Sequence, residues 1–320
     1  MVFYFGIVGY FLGAFLGLFF CLLIFWKKLG HKLKFSLQPR TLFLFIRSGL
    51  VLFFLNLSYL IFFSIDRLFV FSYYGKLELG YYAIGLVFAN LMFFLLYTFV
   101  LPLVPKIFQN IKNNSKMQKL IIIPTKLTYL IAYWIVFMIL FLFPFISFIM
   151  PEYASGFIYI NILVFAVMFF PILIINYYIG KNKEKFLLIL TIFFILLAVI
   201  SDILVSVFQL SPIYIAIATL VTFFLYGTTL NMIGYREILG TWRLAINKVF
   251  NYLWPLGYAL IGYALLWLLA NYWFYDFISY YSVKIIQAVL FTIWYSPILW
   301  KVERDHKIFK IIWKSIKNKI

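Results

Sequence analysis

The residues of this 320-residue chain whose positions best suggest chemistry are a few charged side chains inside long apolar stretches. The adjacent pair Asp66-Arg67 is the clearest case, and Asp202 and Lys284 are two more. A charged side chain inside a bilayer costs about 2.5–3.5 kcal/mol on insertion scales, so each of these residues is a candidate functional or structural charge. Neighbouring residues on a helix point about 100° apart, and Asp66 and Arg67 therefore cannot both face lipid cheaply.

Arg67 is the first candidate for binding an anionic group of a substrate. On a continuous helix, Arg67 lies about three turns after Asn56. Gly49 and Phe63 share that face, which makes a stripe suited to lining a cavity. Asn90, in the next apolar stretch, is a further candidate for the same site, although an interhelical hydrogen bond is the favoured interpretation of this residue. The alternative role for Arg67 is an ion pair that locks neighbouring helices.

Asp202 and Lys284 have structural interpretations beside the functional ones. We expect Asp202 to pair with Arg67 or Lys284, and proton coupling is its alternative role. Lys284 lies near one end of the last apolar stretch, from which a lysine can extend its ammonium to the membrane surface. These two residues and Asp66 are therefore interpreted as structural or coupling charges.

Enzymatic chemistry has little support in this sequence. Hydrolysis or group transfer needs an acid–base pair or a nucleophile with its base. Only nine acidic residues are present, and all except Asp66 and Asp202 lie in linkers between the apolar stretches. The single cysteine, Cys21, and the two histidines, His31 and His306, are isolated from one another and do not form a metal-binding pattern. The sequence thus predicts no catalytic residue, no metal and no cofactor.

Composition identifies the class of protein that must position these residues. Hydrophobic residues make up 66% of the chain, charged residues 11%, and the mean hydropathy is +1.06. That balance excludes a soluble enzyme and a disordered protein, and it predicts an all-α polytopic membrane protein. Nine stretches are long enough to span a bilayer: 2–26, 43–74, 79–104, 121–149, 156–180, 186–209, 212–234, 249–273 and 279–300. We expect the first to be a retained helix rather than a signal peptide, because it lacks a basic start and a cleavage site.

The distribution of basic residues predicts the orientation. The linkers after odd-numbered stretches hold 23 of the 27 lysines and arginines when the linker after the third stretch is followed to Lys126, whereas those after even-numbered stretches hold only Lys76. Because basic linkers stay in the cytoplasm, the N-terminus is predicted outside and the C-terminus inside. The net charge of +18 therefore indicates anionic membrane lipids rather than nucleic acid as a partner. Residues 301–320 have apolar residues on one helical face and predict an interfacial helix, with a solvated basic tail as the alternative.

Several segments resemble bacterial oligosaccharide/polysaccharide (O-antigen type) flippases of the multidrug/oligosaccharidyl-lipid/polysaccharide exporter superfamily. Residues 34–105 are similar to the start of the second half of these proteins: a basic segment, a helix that ends in Asp66-Arg67, a turn that contains Gly75 and Gly80-Tyr81, and a returning helix with a proline. Residues 151–180 and 212–231 look like later segments of the family.

The resemblance implies a transporter that moves lipid-linked glycans across the bacterial cytoplasmic membrane by alternating access. Such flippases have 14 helices, and the nine stretches here would match the last nine. Residues 1–26 would end a missing first lobe, 34–234 would form a six-helix lobe, 249–300 would add two helices, and 301–320 would be the basic tail. Arg67, helped by Asn56 and Asn90, would bind the pyrophosphate or acidic sugars. An ion gradient or the substrate gradient would supply the energy.

The resemblance also implies partners. A lone second lobe would expose its cavity face to lipid, which implies a missing N-terminal half or a homodimer. Glycan biosynthesis enzymes would supply the cargo. A membrane-embedded glycan polymerase or ligase is an alternative function, although such enzymes usually carry a large external loop. A non-transporting membrane scaffold is the remaining alternative.

Overall fold

The computed structural model describes residues 13, 15–17, 19–21, 23, 24, 27, 39–111, 113, 115–118, 120, 130, 132–140, 151–269 and 280–306. Contacts divide the chain into two units, Met1–Leu50 and Val51–Ile320. In the first unit, the described residues between 13 and 27 are helical and exposed. The second unit contains every contact discussed below. The predicted tail lies outside the described residues from position 307 onward.

The described residues are almost entirely helical, and no strand occurs among them. This confirms the all-α prediction for the described part of the chain. Ten helices have defined bounds: α1 (Pro39–Phe62), α2 (Ile65–Phe69), α3 (Gly75–Val100), α4 (Val104–Asn110), α5 (Phe157–Met168), α6 (Ile172–Gly180), α7 (Glu184–Val207), α8 (Ile213–Leu239), α9 (Trp242–Leu269) and α10 (Tyr280–His306).

Six helical runs among the described residues are long and apolar enough to cross a membrane, which makes the chain a multi-pass membrane protein. They are Ile65–Asn110, Pro151–Gly180, Glu184–Val207, Ile213–Leu239, Trp242–Leu266 and Ser282–Lys301. Most of the predicted stretches 2–26 and 121–149 lies outside the described residues. The count of nine helices and their orientation therefore stay predictions.

The predicted stretch 43–74 is not one continuous helix. Helix α1 ends at Phe62, two turn residues follow, and α2 begins at Ile65. A π-helical turn then leads to Gly75, whose φ of +87° is readily adopted only by glycine. The hydrogen bond that Tyr82 of α3 donates to Asp66 shows that the chain folds back there. Along a straight helix these two residues would stand about 24 Å apart.

Helices α5 and α6 form the centre of the second unit. In the apolar window of Pro151–Gly180, 83% of the residues are buried, against 18–39% in the other five runs. Helix α5 packs against α3 and α8, and the hydrophobic core follows these contacts. Phe169 to Pro171 interrupt the helical run between α5 and α6. The freed carbonyl of Met168 accepts a hydrogen bond of 2.9 Å from the Tyr252 hydroxyl, so a helix break inside the protein keeps its polar group satisfied.

Candidate functional site

Asp66 is the centre of a buried polar cluster that joins three helices. Its side chain is 3% exposed. Oδ1 accepts the backbone N–H of Arg67 at 2.9 Å, and Oδ2 accepts the hydroxyl of Tyr82 from α3. The Thr219 hydroxyl of α8 lies 3.4 Å from the same Oδ2. The hydrogen bonds of Asp66 therefore tie α2 to both α3 and α8.

A second carboxylate, Asp202 of α7, lies beside this cluster. Asp202 is 2% exposed, its helix packs against α2, and it lies within electrostatic range of Asp66 and Tyr82. Its Oδ2 atom is buried and has no hydrogen-bond partner among the described residues. Ser206 stands one turn further along α7 on the same face, and its buried Oγ also lacks a described partner. We call Asp66, Tyr82, Asp202, Ser206 and Thr219 the acid cluster.

The acid cluster has the composition of a site for a monovalent cation. All the side-chain atoms that could bind a cation in this cluster are oxygens, which suit H⁺ or Na⁺ rather than a soft metal. No described residue forms an ion pair with either carboxylate, and although the charge of Arg67 acts on Asp66, a proton or a cation at Asp202 would remove the cost of a second buried charge. The unpartnered Oδ2 of Asp202 is the atom at which such a cation would bind. The acid cluster holds only two carboxylates, and no group of three or more His, Cys, Asp or Glu side chains comes together among the described residues.

Arg67 does not form the structural ion pair considered in the sequence analysis. Its link to Asp66 runs through its backbone N–H, and the described residues include no carboxylate in a salt bridge with its guanidinium. The side chain is half-buried, and its buried Nε finds no partner among the described residues. Its hydrogen-bond donors are therefore available to another group.

The cavity lined by Asn90 does not include the other two predicted substrate-binding residues. The turn at Phe63 breaks the helical face on which Asn56 and Arg67 were expected to lie together, and the exposed Asn56 belongs to α1. Asn90 and Thr219 line a small cavity between α3, α5 and α8, and neither Asn56 nor Arg67 takes part in it. The cavity offers about 20 Å³ to a water-sized molecule, which is room for one water and not for a pyrophosphate.

Lys284 is covered by protein in this structure. Its side chain is 6% exposed on α10, which packs against α9. One turn further along, the Gln287 amide donates to the Leu266 carbonyl of α9 at 2.8 Å. An ammonium reaching the membrane surface was expected, and the structure places this side chain inside the helix packing instead.

Three hydroxyl groups form a buried polar chain that sequence reasoning did not find. The Tyr226 hydroxyl of α8 donates to the Tyr59 hydroxyl of α1 at 3.1 Å and lies 3.3 Å from Thr191 Oγ1 of α7. The partners come from three distant segments, and the chain contains 25 tyrosines, so no local pattern distinguishes Tyr226. The same is true of Tyr82 in the acid cluster.

A charged cluster lies at the ends of α7 and α8 opposite to those that carry the acid cluster. Glu237 Oε1 binds the ammonium of Lys181 at 3.0 Å and that of Lys183 at 2.7 Å. Partial burial disfavours the ammonium of Lys181, but its contacts with Tyr177 and Glu237 outweigh this cost, and the pKa of Lys181 lies above its usual value. Lys181 and Lys183 precede α7 and belong to a linker predicted to face the cytoplasm.

Comparison with known proteins does not assign the chain to a family. No family model, curated protein or solved structure matches it. The likeness to flippases therefore stays a hypothesis that rests on the sequence segments alone.

Proposed function

We propose that the protein is a cation-coupled membrane transporter, in which H⁺ or Na⁺ binds at the acid cluster. The observation that carries this proposal is the unpartnered Oδ2 of Asp202 in a protein interior that already contains the buried Asp66. A buried carboxylate oxygen without a partner is costly, and a bound cation removes that cost. The protein performs no chemical conversion in this proposal.

The position of the acid cluster explains how a cation could act on the whole bundle. Asp66, Tyr82, Asp202 and Thr219 belong to four different helices, α2, α3, α7 and α8. A cation between the two carboxylates draws α2 and α7 together, whereas two bare charges push them apart. A ligand shifts a conformational equilibrium by its difference in affinity for the two states, and the cation has that difference here.

For the cargo we propose a lipid-linked oligosaccharide or polysaccharide, moved across the bacterial cytoplasmic membrane. The support is the likeness of residues 34–105 to the flippases, together with the available donors of Arg67 beside the acid cluster. A guanidinium binds a phosphate oxygen pair in a two-point geometry. As part of this proposal, nine helices leave the N-terminus outside, and a missing half or a second copy completes the transport path.

A cation-binding experiment tests the coupling directly. We expect Na⁺ or a proton to raise the thermal unfolding temperature of the detergent-purified protein in a saturable manner, because a ligand of the folded state stabilises it by mass action. Titrations with NaCl against choline chloride, each repeated across a pH series, separate the two cations. The shift should disappear in Asp202→Asn and persist in Glu152→Gln, which removes an exposed carboxylate. A wild-type protein that responds to neither ion would refute the cation site.

A second experiment tests the cargo through Arg67. We expect Arg67→Ala to abolish glycan export while the protein still accumulates in the membrane, because no salt bridge is broken among the described residues. Arg67→Lys should restore only part of the export, since an ammonium cannot reproduce the two-point contact. Surface glycan and membrane abundance are measured for each variant in a host that supplies any missing half. Normal export by Arg67→Ala would remove this residue from the site.

A further inference from the structure

The turn between α8 and α9 holds a set of exposed cationic and aromatic side chains. Only Gly240 and Thr241 separate the two helices, and Gly240 has a φ of +84°, which closes α8 in a left-handed cap. Both flanking helices are apolar enough to cross a membrane. The residues on either side of this tight turn are therefore held at a membrane–water boundary.

Arg236 and Trp242 contact each other across the turn. The guanidinium carbon of Arg236 lies 4.3 Å from the centre of the Trp242 ring, and Trp242 is 45% exposed. Arg243, the next residue, is also exposed. This cation–π contact places the guanidinium over the ring, and a guanidinium that stacks by its face keeps its N–H edge free for another partner.

The positive charge of this surface is not neutralised nearby. Glu237 is the nearest acidic residue along α8, and it already binds Lys181 and Lys183. Neither Arg236 nor Arg243 forms a salt bridge with any carboxylate in the described part of the chain. The turn thus presents two uncompensated guanidinium groups beside an interfacial tryptophan.

We propose that Arg236, Trp242 and Arg243 form a binding site for the phosphate headgroup of an anionic phospholipid. The ring of Trp242 lies at the headgroup level, where tryptophan is favoured. The oriented edge of Arg236 supplies donors for the phosphate, and Arg243 adds charge. The basic linkers predict that the leaflet concerned is the cytoplasmic one. This site is independent of the proposed cargo and of the cation at the acid cluster.

Lipid retention by the purified full chain tests the site. The protein is equilibrated in mixed micelles of phosphatidylglycerol and phosphatidylcholine, and native mass spectrometry gives the ratio of the two lipids bound. Arg236→Gln removes one charge of the site. Trp242→Ala keeps both arginines but removes the surface that orients Arg236. Lys185→Gln is the matched control, because it removes one exposed positive charge from the first turn of α7.

We expect Arg236→Gln and Trp242→Ala each to lower the bound ratio of phosphatidylglycerol to phosphatidylcholine about fivefold, and Lys185→Gln to leave it within twofold of the wild type. An unchanged ratio in Trp242→Ala would show diffuse attraction by net charge and would overturn the proposal. An equal loss in all three variants would do the same. Displacement of the lipid by millimolar inorganic phosphate would overturn the assignment to a lipid and indicate a site for a small anion.

Discussion

Replacing Gly227 with alanine should destabilise the bundle, although alanine is the better helix former. A methyl group at Gly227 of α8 would meet the backbone carbonyl oxygen of Phe169, in the break between α5 and α6. A backbone oxygen cannot rotate aside as the end of a side chain can, so the two segments must separate by roughly 1–2 Å before the contact becomes an ordinary one. Gly227 is buried at this point, and α5 and α6 are the centre of the second unit.

The expected loss follows from two opposing contributions. Overpacking a well-packed interior costs about 1–3 kcal/mol, and the helix propensity of alanine returns up to about 1 kcal/mol. We therefore expect Gly227→Ala to lower the free energy of unfolding by about 1–2 kcal/mol. The matched control is Gly257→Ala on α9, where the added methyl meets no atom within 4 Å. That variant should be as stable as the wild type or slightly more stable.

Reversible unfolding of the purified protein in mixed micelles of mild detergent and dodecyl sulfate measures both variants against the wild type. The two substitutions make the same chemical change, so their difference isolates the packing at Phe169. If Gly227→Ala proved at least as stable as Gly257→Ala, the close approach of α8 to the helix break would be wrong.

Three further predictions concern topology and buried hydrogen bonds. A reporter that is active only in the cytoplasm should be active when fused after Lys28, Lys116, Lys183, Arg243 or Lys319. The same reporter should be silent when fused after Glu78, Glu152 or Asp276. Activity of the fusion after Glu152 would contradict the nine-helix arrangement. Tyr226→Phe should cost about 0.6–1 kcal/mol of unfolding free energy, and a double-mutant cycle with Tyr59→Phe should be non-additive, because the two hydroxyls share one hydrogen bond. Tyr252→Phe should destabilise by about 1–2 kcal/mol, since it leaves the Met168 carbonyl without that partner, and additive behaviour with Tyr226→Phe serves as the control.

The sequence alone was sufficient for the class of the protein and for the charges worth examining. Long apolar stretches must become helices in lipid, because each backbone polar group needs a partner within its own segment. A charged residue inside such a stretch is visible without any knowledge of its neighbours. Asp66, Arg67 and Asp202 were therefore identified from their positions, and the helices that carry Asp66 and Asp202, α2 and α7, do pack against each other.

Only the tertiary structure decided which residues accompany these charges. The interruption at Phe63 and Ser64 separates the face of Asn56 from that of Arg67. Apolar residues continue on both sides of this turn, so the periodicity of the sequence does not indicate it. Tyr82 and Thr219 reach Asp66 from 16 and 153 residues away. Helical periodicity relates residues within one helix, whereas contacts between helices depend on how the whole bundle packs. For that reason the acid cluster, with its unpartnered oxygen, appears only in the folded chain.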